Sequence, residues 1–384
     1  MIKVLCACDS FKGSLSSIEA NLYARLGIES VFPDADVRCI AVADGGEGTM
    51  EALVAASGAT PVQCEAHDAL MRPITTEYAI SADGTTAIIE TAKAAGLTLL
   101  AVNERNPLST TTYGVGDMIA DAMTRGCRRF VVGLGGSATN DGGAGMLAAL
   151  GFRFTDAAGA AIAVPVGADL VRIAAVKPPR PGKLPENLKF ILACDVTAPF
   201  IGPEGASQVF APQKGASKAV VERLEAGMHN LAEVYAAATG RDVSAMPGAG
   251  AAGGVAGGFI AMLGATVRSG INLVLDLAGF DRALEGAALV ITGEGCLDRQ
   301  TAMGKAPWGV MRRAQAAGVP TVAIGGSVTA ADELVAAGFL AAVPVVQGPQ
   351  SLAEAMQTAV AADNVRSAAA MMCRLYFSRQ TSVR

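Results

Sequence analysis

A chain of 384 residues is too long for one ordinary hydrophobic core, which points to two domains, and its 51% apolar composition excludes a disordered or fibrous protein. A net charge of −5 with scattered basic residues leaves no electrostatic footprint for nucleic acid or for an anionic membrane surface. The eight cysteines mostly fall in apolar, strand-like runs and the two histidines, His67 and His229, stand apart, so reduced thiols are expected and a zinc site is not.

Residues 2–8 form an apolar run without the basic and long apolar regions of an export signal, so a cytoplasmic protein is expected. That run reads as a strand ending in Asp9-Ser10-Phe11-Lys12-Gly13-Ser14, followed by a helix over 16–31 with Ser16 or Ser17 as its cap and Glu19 in its first turn. A second strand over 37–42 opens into a turn at 43–49 that carries Asp44, and then into another helix. Both units share one plan of strand, acid-containing turn and helix, and in open parallel sheets ligands gather at such strand ends.

Residues 60–90 read differently. Short β-rich runs with Asp83-Gly84 as a hairpin signal predict antiparallel strands and a mixed sheet. A helix over 113–124 precedes the apolar run Phe130-Val131-Val132, which enters a Gly-rich turn at 133–145 and leaves as an Ala/Leu/Met helix. The glycines of this turn let a ligand approach backbone N–H groups, and the helix start adds positive partial charge, so Gly135, Gly136 and Ser137 are candidate anion binders. The alternative is a tight turn that merely needs glycine.

A strand over 190–194 ends at Asp195, a polar loop spans 205–215, and a helix is expected over 219–238. The uncharged segment 243–267 has Gly250, Gly254 and Gly258 at the spacing of paired membrane helices. It is mostly Gly and Ala and opens with Pro247-Gly248, so a buried, closely packed helix is expected instead of a membrane span. Its formal GxGxxG at 248–253 lacks the preceding strand that a dinucleotide fingerprint requires. Strand-like Leu289-Val290-Ile291 then enters a turn bearing Gly293 and Glu294, Gly304-Lys305 opens a helix, and two further β/α units close the chain.

Acids at strand tips (Asp9, Asp44, Asp195, Glu294), Gly-rich turns that open helices, and Lys12, Lys214 and Lys305 are the parts of phosphoryl transfer. The chain has only nine lysines, so three beside such turns stand out. Neither a Walker A sequence nor the protein kinase motif set occurs.

Asp9-Ser10-Phe11-Lys12-Gly13-Ser14, the 43–49 turn, Arg105-Asn106-Pro107-Leu108 with 111–116, the turn at 135–143, Ala193-Cys194-Asp195-Val196, the 248–254 segment and Ile291-Thr292-Gly293-Glu294-Gly295 together resemble the bacterial type I glycerate kinases, in order and spacing along essentially the whole chain. The resemblance implies an α/β fold of two domains. One is a Rossmann-like parallel α/β domain built from both chain ends (1–65 plus 288–384), the other an inserted mixed-sheet α/β domain (66–287), with the active site in the cleft between them. It implies an ATP- and Mg²⁺-dependent enzyme that phosphorylates D-glycerate to 2-phosphoglycerate, and a monomer or homodimer.

Within that reading Asp195 is the candidate to orient or deprotonate the glycerate hydroxyl, and Lys12 the candidate to neutralise phosphate or substrate charge. Ser10, Arg105, Asp44 and Ser137 are candidate substrate contacts, Arg105 because it can grip a carboxylate bidentately. Gly135, Gly136, Ser137, Asp141, Gly293, Glu294 and Lys305 are candidate cofactor contacts, and Glu294 and Asp44 candidate metal ligands. Each acid could instead cap a helix, a common use of Asp at a strand-to-helix turn.

The chain departs from the family pattern at Cys296, Ala198, Arg299 and Met303, where a basic residue, Asn, Ser and His are expected. Arg299, three positions on, is the candidate replacement for the missing base. Two rival readings remain: a GHMP-like or other small-metabolite kinase, and a non-catalytic nucleotide- or metabolite-binding module. The first lacks the expected proline before the loop and the β-rich N-terminal domain, and the second would not need Asp195 and Lys12.

Overall fold

The computed structural model describes residues 2–43, 45 and 48–378. The chain divides into two compact α/β units, Met1–Asp44 with Glu51–Ser57 and Ile271–Arg384 in the first, and Gly45–Met50 with Gly58–Gly270 in the second.

The first unit is a five-stranded, wholly parallel sheet. Its strands run in the order Ala341–Pro344, Thr321–Val328, Leu289–Leu297, Lys3–Cys8, Asp36–Cys39. Alternate residues of a strand serve opposite faces. Val322 and Ile324 therefore join the core under helices Ser17–Val31 and Thr358–Phe377, whereas Ala323 joins Met311 of helix Ala306–Ala316 on the other face. Ser16 is the cap of the first helix, accepting from Glu19 N (3.2 Å) while Glu19 Oε2 accepts from Ser16 N (2.8 Å). Helices Ser17–Val31 and Thr358–Phe377 pack so closely that a Cβ on Gly27 would overlap the Arg366 carbonyl oxygen.

The second unit is built on a six-stranded mixed sheet in the order Thr266–Arg268, Lys189–Ala193, Arg129–Gly133, Thr86–Glu90, Pro73–Ile80, Thr60–His67. The first four are parallel and the last two antiparallel, as the hairpin signals at 60–90 predict. Phe130, Phe190 and Phe259 stack through its core, with centroids 4.8 and 5.4 Å apart.

Both unit boundaries differ from 65/66 and 287/288. Thr60–His67 pairs along its whole length with Pro73–Ile80 and so belongs to the mixed sheet. Helices Gly270–Leu277 and Phe280–Leu284 are tied to helix Ala306–Ala316 of the first unit, where Arg313 pairs with Asp276 and, at 3.1 Å, with Asp281. The Gly/Ala segment is also shorter than read. Its helix spans Ala251–Leu263 and opens with Ala252, Gly253 and Gly254 in left-handed conformation, where a Cβ on Gly253 would overlap the Thr139 carbonyl oxygen and one on Gly254 the Phe200 ring. Among the described residues no helix is long and apolar enough to cross a membrane.

The strand from Leu289 extends to Leu297 instead of ending at Ile291, since Glu294, Cys296 and Leu297 pair with Gly325, Ser327 and Val328 of its neighbour. Glu294 is therefore a strand residue.

Lys214 is a buried lysine of the second unit, only 2% exposed, its amine donating to Ser137 Oγ (2.9 Å) and to the Thr139 carbonyl (2.6 Å). Burial pulls its pKa down to about 7, against the opposing pull of Asp141.

These features generate two stability predictions. Gly27→Val should destabilise the protein by about 1–3 kcal/mol in urea unfolding, because a clash with backbone cannot be relieved by a rotamer change. Between about pH 7 and an unfolded lysine's value of roughly 10.4, the unfolded chain holds a proton that the folded chain lacks, so raising the pH favours folding. Relative to Lys214→Met, wild type should therefore gain stability across pH 7–9, by up to about 1.4 kcal/mol per unit. A pH-independent difference would remove the neutral buried lysine.

Candidate active site

In the first unit, the register Cys8↔Gly293 sets the next residue of each strand, Asp9 and Glu294, side by side at the carboxyl end of the sheet. The helices that follow these two strands lie on opposite faces, so this is the point where the winding of the sheet reverses and where ligands of open α/β sheets bind. Asn21 fixes the strand end. Its Oδ1 accepts from Cys8 N (2.8 Å), and its Nδ2 donates to the carbonyls of Cys8 (3.1 Å) and Ile40 (3.2 Å).

A cavity of about 360 Å³ opens there. Its polar end is formed by Asp9, Ser10, Lys12, Ser14, Glu294, Lys305 and Ser327. Asp9 is buried, its Oδ1 accepting from Ser10 N (2.6 Å), and Lys12 is exposed. Glu294 Oε1 accepts from Thr301 Oγ1 (2.7 Å), and Lys305 Nζ lies 3.5 Å from Glu294 Oε2 and 3.3 Å from Asp298 Oδ1. Burial alone would lower the Lys305 pKa, but Glu294 and Asp298 outweigh it and hold the amine charged above its ordinary range. Lys305 also starts helix Ala306–Ala316, which has no side-chain cap and whose first turn, with Pro307 lacking an N–H, leaves the N–H groups of Ala306 and Trp308 as its first donors.

The second unit repeats the pattern. Ala193, Gly133 and Glu90 lie level on three neighbouring parallel strands, so Asp195, the Gly-rich turn and Thr91 follow at one edge of the sheet. Within the turn, Gly136, Gly142 and Gly143 take positive φ of 71°, 61° and 81°. Asp141 is fully buried and accepts from Thr112 N (2.7 Å), Thr112 Oγ1 (2.8 Å), Gly143 N (3.0 Å) and Gly145 N (3.1 Å). Burial raises its pKa and these bonds work against that rise. Asp141 thus ties the turn that leads into helix Ala144–Ala149, whose N-cap is Gly143, to Thr112.

Ser137 and Thr139 are tied to Lys214. Asn140 donates to Ser207 Oγ (3.2 Å), while Asn140 Oδ1, Thr139 Oγ1 and Arg105 Nε are buried without a hydrogen-bond partner. Buried orphan polar groups are rare, and their gathering on and beside a Gly-rich turn marks a place where a polar ligand would complete them. Asp195 is half-buried just beyond its strand.

The first unit therefore brings together Ser10, Lys12, Glu294 and Lys305. Gly293 is buried in the strand and its carbonyl accepts from Asp9 N (2.8 Å); it does not line the cavity. The second unit carries Gly135, Gly136, Ser137, Asp141, Asp195 and Arg105, and Asp44 lies outside the described residues. Arg299 does not line the cavity and pairs instead with Glu333 at 3.1 Å, while Cys296 does line it. The sequence singled out Lys214 only as one of three lysines beside Gly-rich turns, and neither its bonds to Ser137 and Thr139 nor the wall formed by residues 345–364 carried a signal.

A model of the glycerate kinase family matches residues 4–377. A glycerate kinase from Bacillus cereus is 42% identical over 369 residues, 96% of each chain, and a glycerate 2-kinase from Escherichia coli is 41% identical over 332 residues, 85% of this chain and 86% of that one. A crystal structure from Salmonella typhimurium LT2, described as glycerate kinase 2, superposes with a TM-score of 0.85 at 39% identity, covering 99% of both chains. The chain belongs to the glycerate kinase family and is a kinase.

Proposed function

We propose that the protein transfers the terminal phosphoryl group of ATP to the 2-hydroxyl of D-glycerate in the presence of Mg²⁺, giving 2-phosphoglycerate. The observation that carries this reading is the cavity of the first unit, where Lys12, Lys305 and three serine hydroxyls converge, a donor set suited to a polyphosphate.

Among the described residues no three His, Cys, Asp or Glu side chains form a metal cage. Mg²⁺ does not need one, because it keeps several waters and takes one or two carboxylates beside substrate phosphates, and Asp9 and Glu294 would serve there. Bound that way, the metal supplies neutralisation of phosphate charge.

On the acceptor side, Arg105 would hold the glycerate carboxylate, its buried unpartnered Nε supporting this role. Ser137 and the Gly136 backbone would steady the same anion, whereas the Gly135 N–H is taken by the Gly45 carbonyl (3.2 Å). Asp195 would orient the acceptor hydroxyl and take its proton as the new oxygen–phosphorus bond forms and the bridging bond of the donor breaks.

Purified protein given D-glycerate, ATP and Mg²⁺ should yield 2-phosphoglycerate, identified by phosphorus NMR. Turnover of a different hydroxy acid or sugar, with none of D-glycerate, would overturn the substrate. Asp195→Asn should lower kcat by about 10²-fold or more while moving the KM for ATP little. An unchanged kcat would remove Asp195 from proton transfer.

A further inference from the structure

Resting on the kinase reading above, we propose that the apolar end of the first unit's cavity seats the base of the nucleotide, and that Asn364 reads it as a 6-aminopurine. The cavity is divided. Beyond its polar end the wall consists of Val345, Val346, Leu352, Ala355, Met356 and Ala361. Glycerate carries an oxygen on each of its three carbons and has no apolar face to cover such a wall. A nucleotide matches both ends, with a planar base at one and a charged phosphate chain at the other.

The wall's exposure points the same way. Leu352 is 75% exposed and Met356 40%, two large apolar side chains left in water at the rim of a cavity. Water contact there is costly until an apolar surface covers it. The segment is held in place, since Ser351 and Glu354 form a capping box at the start of the short helix Leu352–Ala355. Met356 lies against the turn that carries Lys12, its Cε 2.8 Å from where a Cβ on Gly13 would be. The apolar end thus adjoins the cationic end directly, as a continuous nucleotide requires.

Asn364 is the amide side chain that lines this cavity, only 7% exposed. Its Nδ2 donates to Gln350 Oε1 at 3.2 Å, which fixes the orientation of the amide and leaves Oδ1 as an acceptor beside one remaining Nδ2 hydrogen. The exocyclic amine of adenine is a donor and satisfies that oxygen. The remaining Nδ2 hydrogen can reach the adjacent ring nitrogen of adenine, whereas a 6-oxopurine presents two acceptors along that edge and leaves one of them facing Oδ1.

Calorimetric titration of the full chain with ADP, inosine diphosphate and inorganic tripolyphosphate tests this. Wild type should bind ADP about tenfold or more tighter than inosine diphosphate, and Asn364→Ala should erase that preference. Leu352→Ser/Met356→Ser, changed at exposed positions, should weaken ADP about tenfold while tripolyphosphate binds within about twofold of wild type, which also reports that the cationic end is intact. Equal affinity of wild type for the two diphosphates overturns the role of Asn364. Unchanged ADP affinity in the double variant, with wild type still phosphorylating glycerate, moves the base elsewhere and leaves the kinase reading standing. Wild type that neither binds ADP nor phosphorylates glycerate overturns that reading, and this inference with it.

Discussion

Two strands from opposite ends of the chain pair in parallel, and the first unit depends on that pairing. Val4 lies opposite Leu289 and Cys8 opposite Gly293, so partners that share a ladder stand 285 positions apart in the sequence. The register fixes more than the sheet. A slip of one residue would turn every side chain to the opposite face and separate Asp9 from Glu294. It is held by an apolar core in which Val4, Cys6, Leu289 and Ile291 pack under two helices, and by Thr292, whose hydroxyl donates to the Ala7 carbonyl at 2.6 Å.

The two units treat charge in opposite ways. Around the first unit's cavity, Lys305 is kept cationic by Glu294 and Asp298, each of which has other partners to hold it still. A fixed positive charge of this kind costs no reorganisation when a polyanion arrives. In the second unit, Lys214 is buried among hydroxyl and carbonyl oxygens and its amine sits near neutrality at physiological pH. There it acts mainly as a hydrogen-bond donor that fixes the conformation of the Gly-rich turn, whose Gly135, Ala138, Gly142 and Gly143 N–H groups are themselves already paired within the protein.

Much of this was legible in the sequence because the signals were local. Strand ends followed by acids, the Ser16 and Glu19 capping box and the Asp83-Gly84 hairpin depend on neighbours within a few residues, and period-2 and turn chemistry report them directly. What was not legible depends on distant partners. Glu294 reads as a turn residue from the glycines around it, and it becomes a strand residue only because Gly325 lies alongside. Asp141 reads equally as a ligand or as a cap, and only the fold shows the distant Thr112 donating to its oxygens. Residues 345–364 carry no motif, and they acquire meaning only when the fold sets them against the turn at 9–14.

The departures from the family pattern bear on the same cavity. The residue opposite Ser327 is Cys296, which lines the cavity without a charge, and the nearby Arg299 is engaged with Glu333 on an adjacent helix. Arg299 therefore does not restore the missing base. The cationic field at the polar end falls to Lys12 and Lys305 alone among its lining residues, and Lys305 shares its charge with two carboxylates. Lys12, exposed on a turn fixed by the Phe11–Leu15 bridge, is then the side chain whose charge is available in full to an incoming polyanion. A site with fewer cations holds phosphates less tightly by electrostatics and must draw more of its affinity from apolar contact, which is the contribution that the wall of Val345, Leu352 and Met356 is built to make.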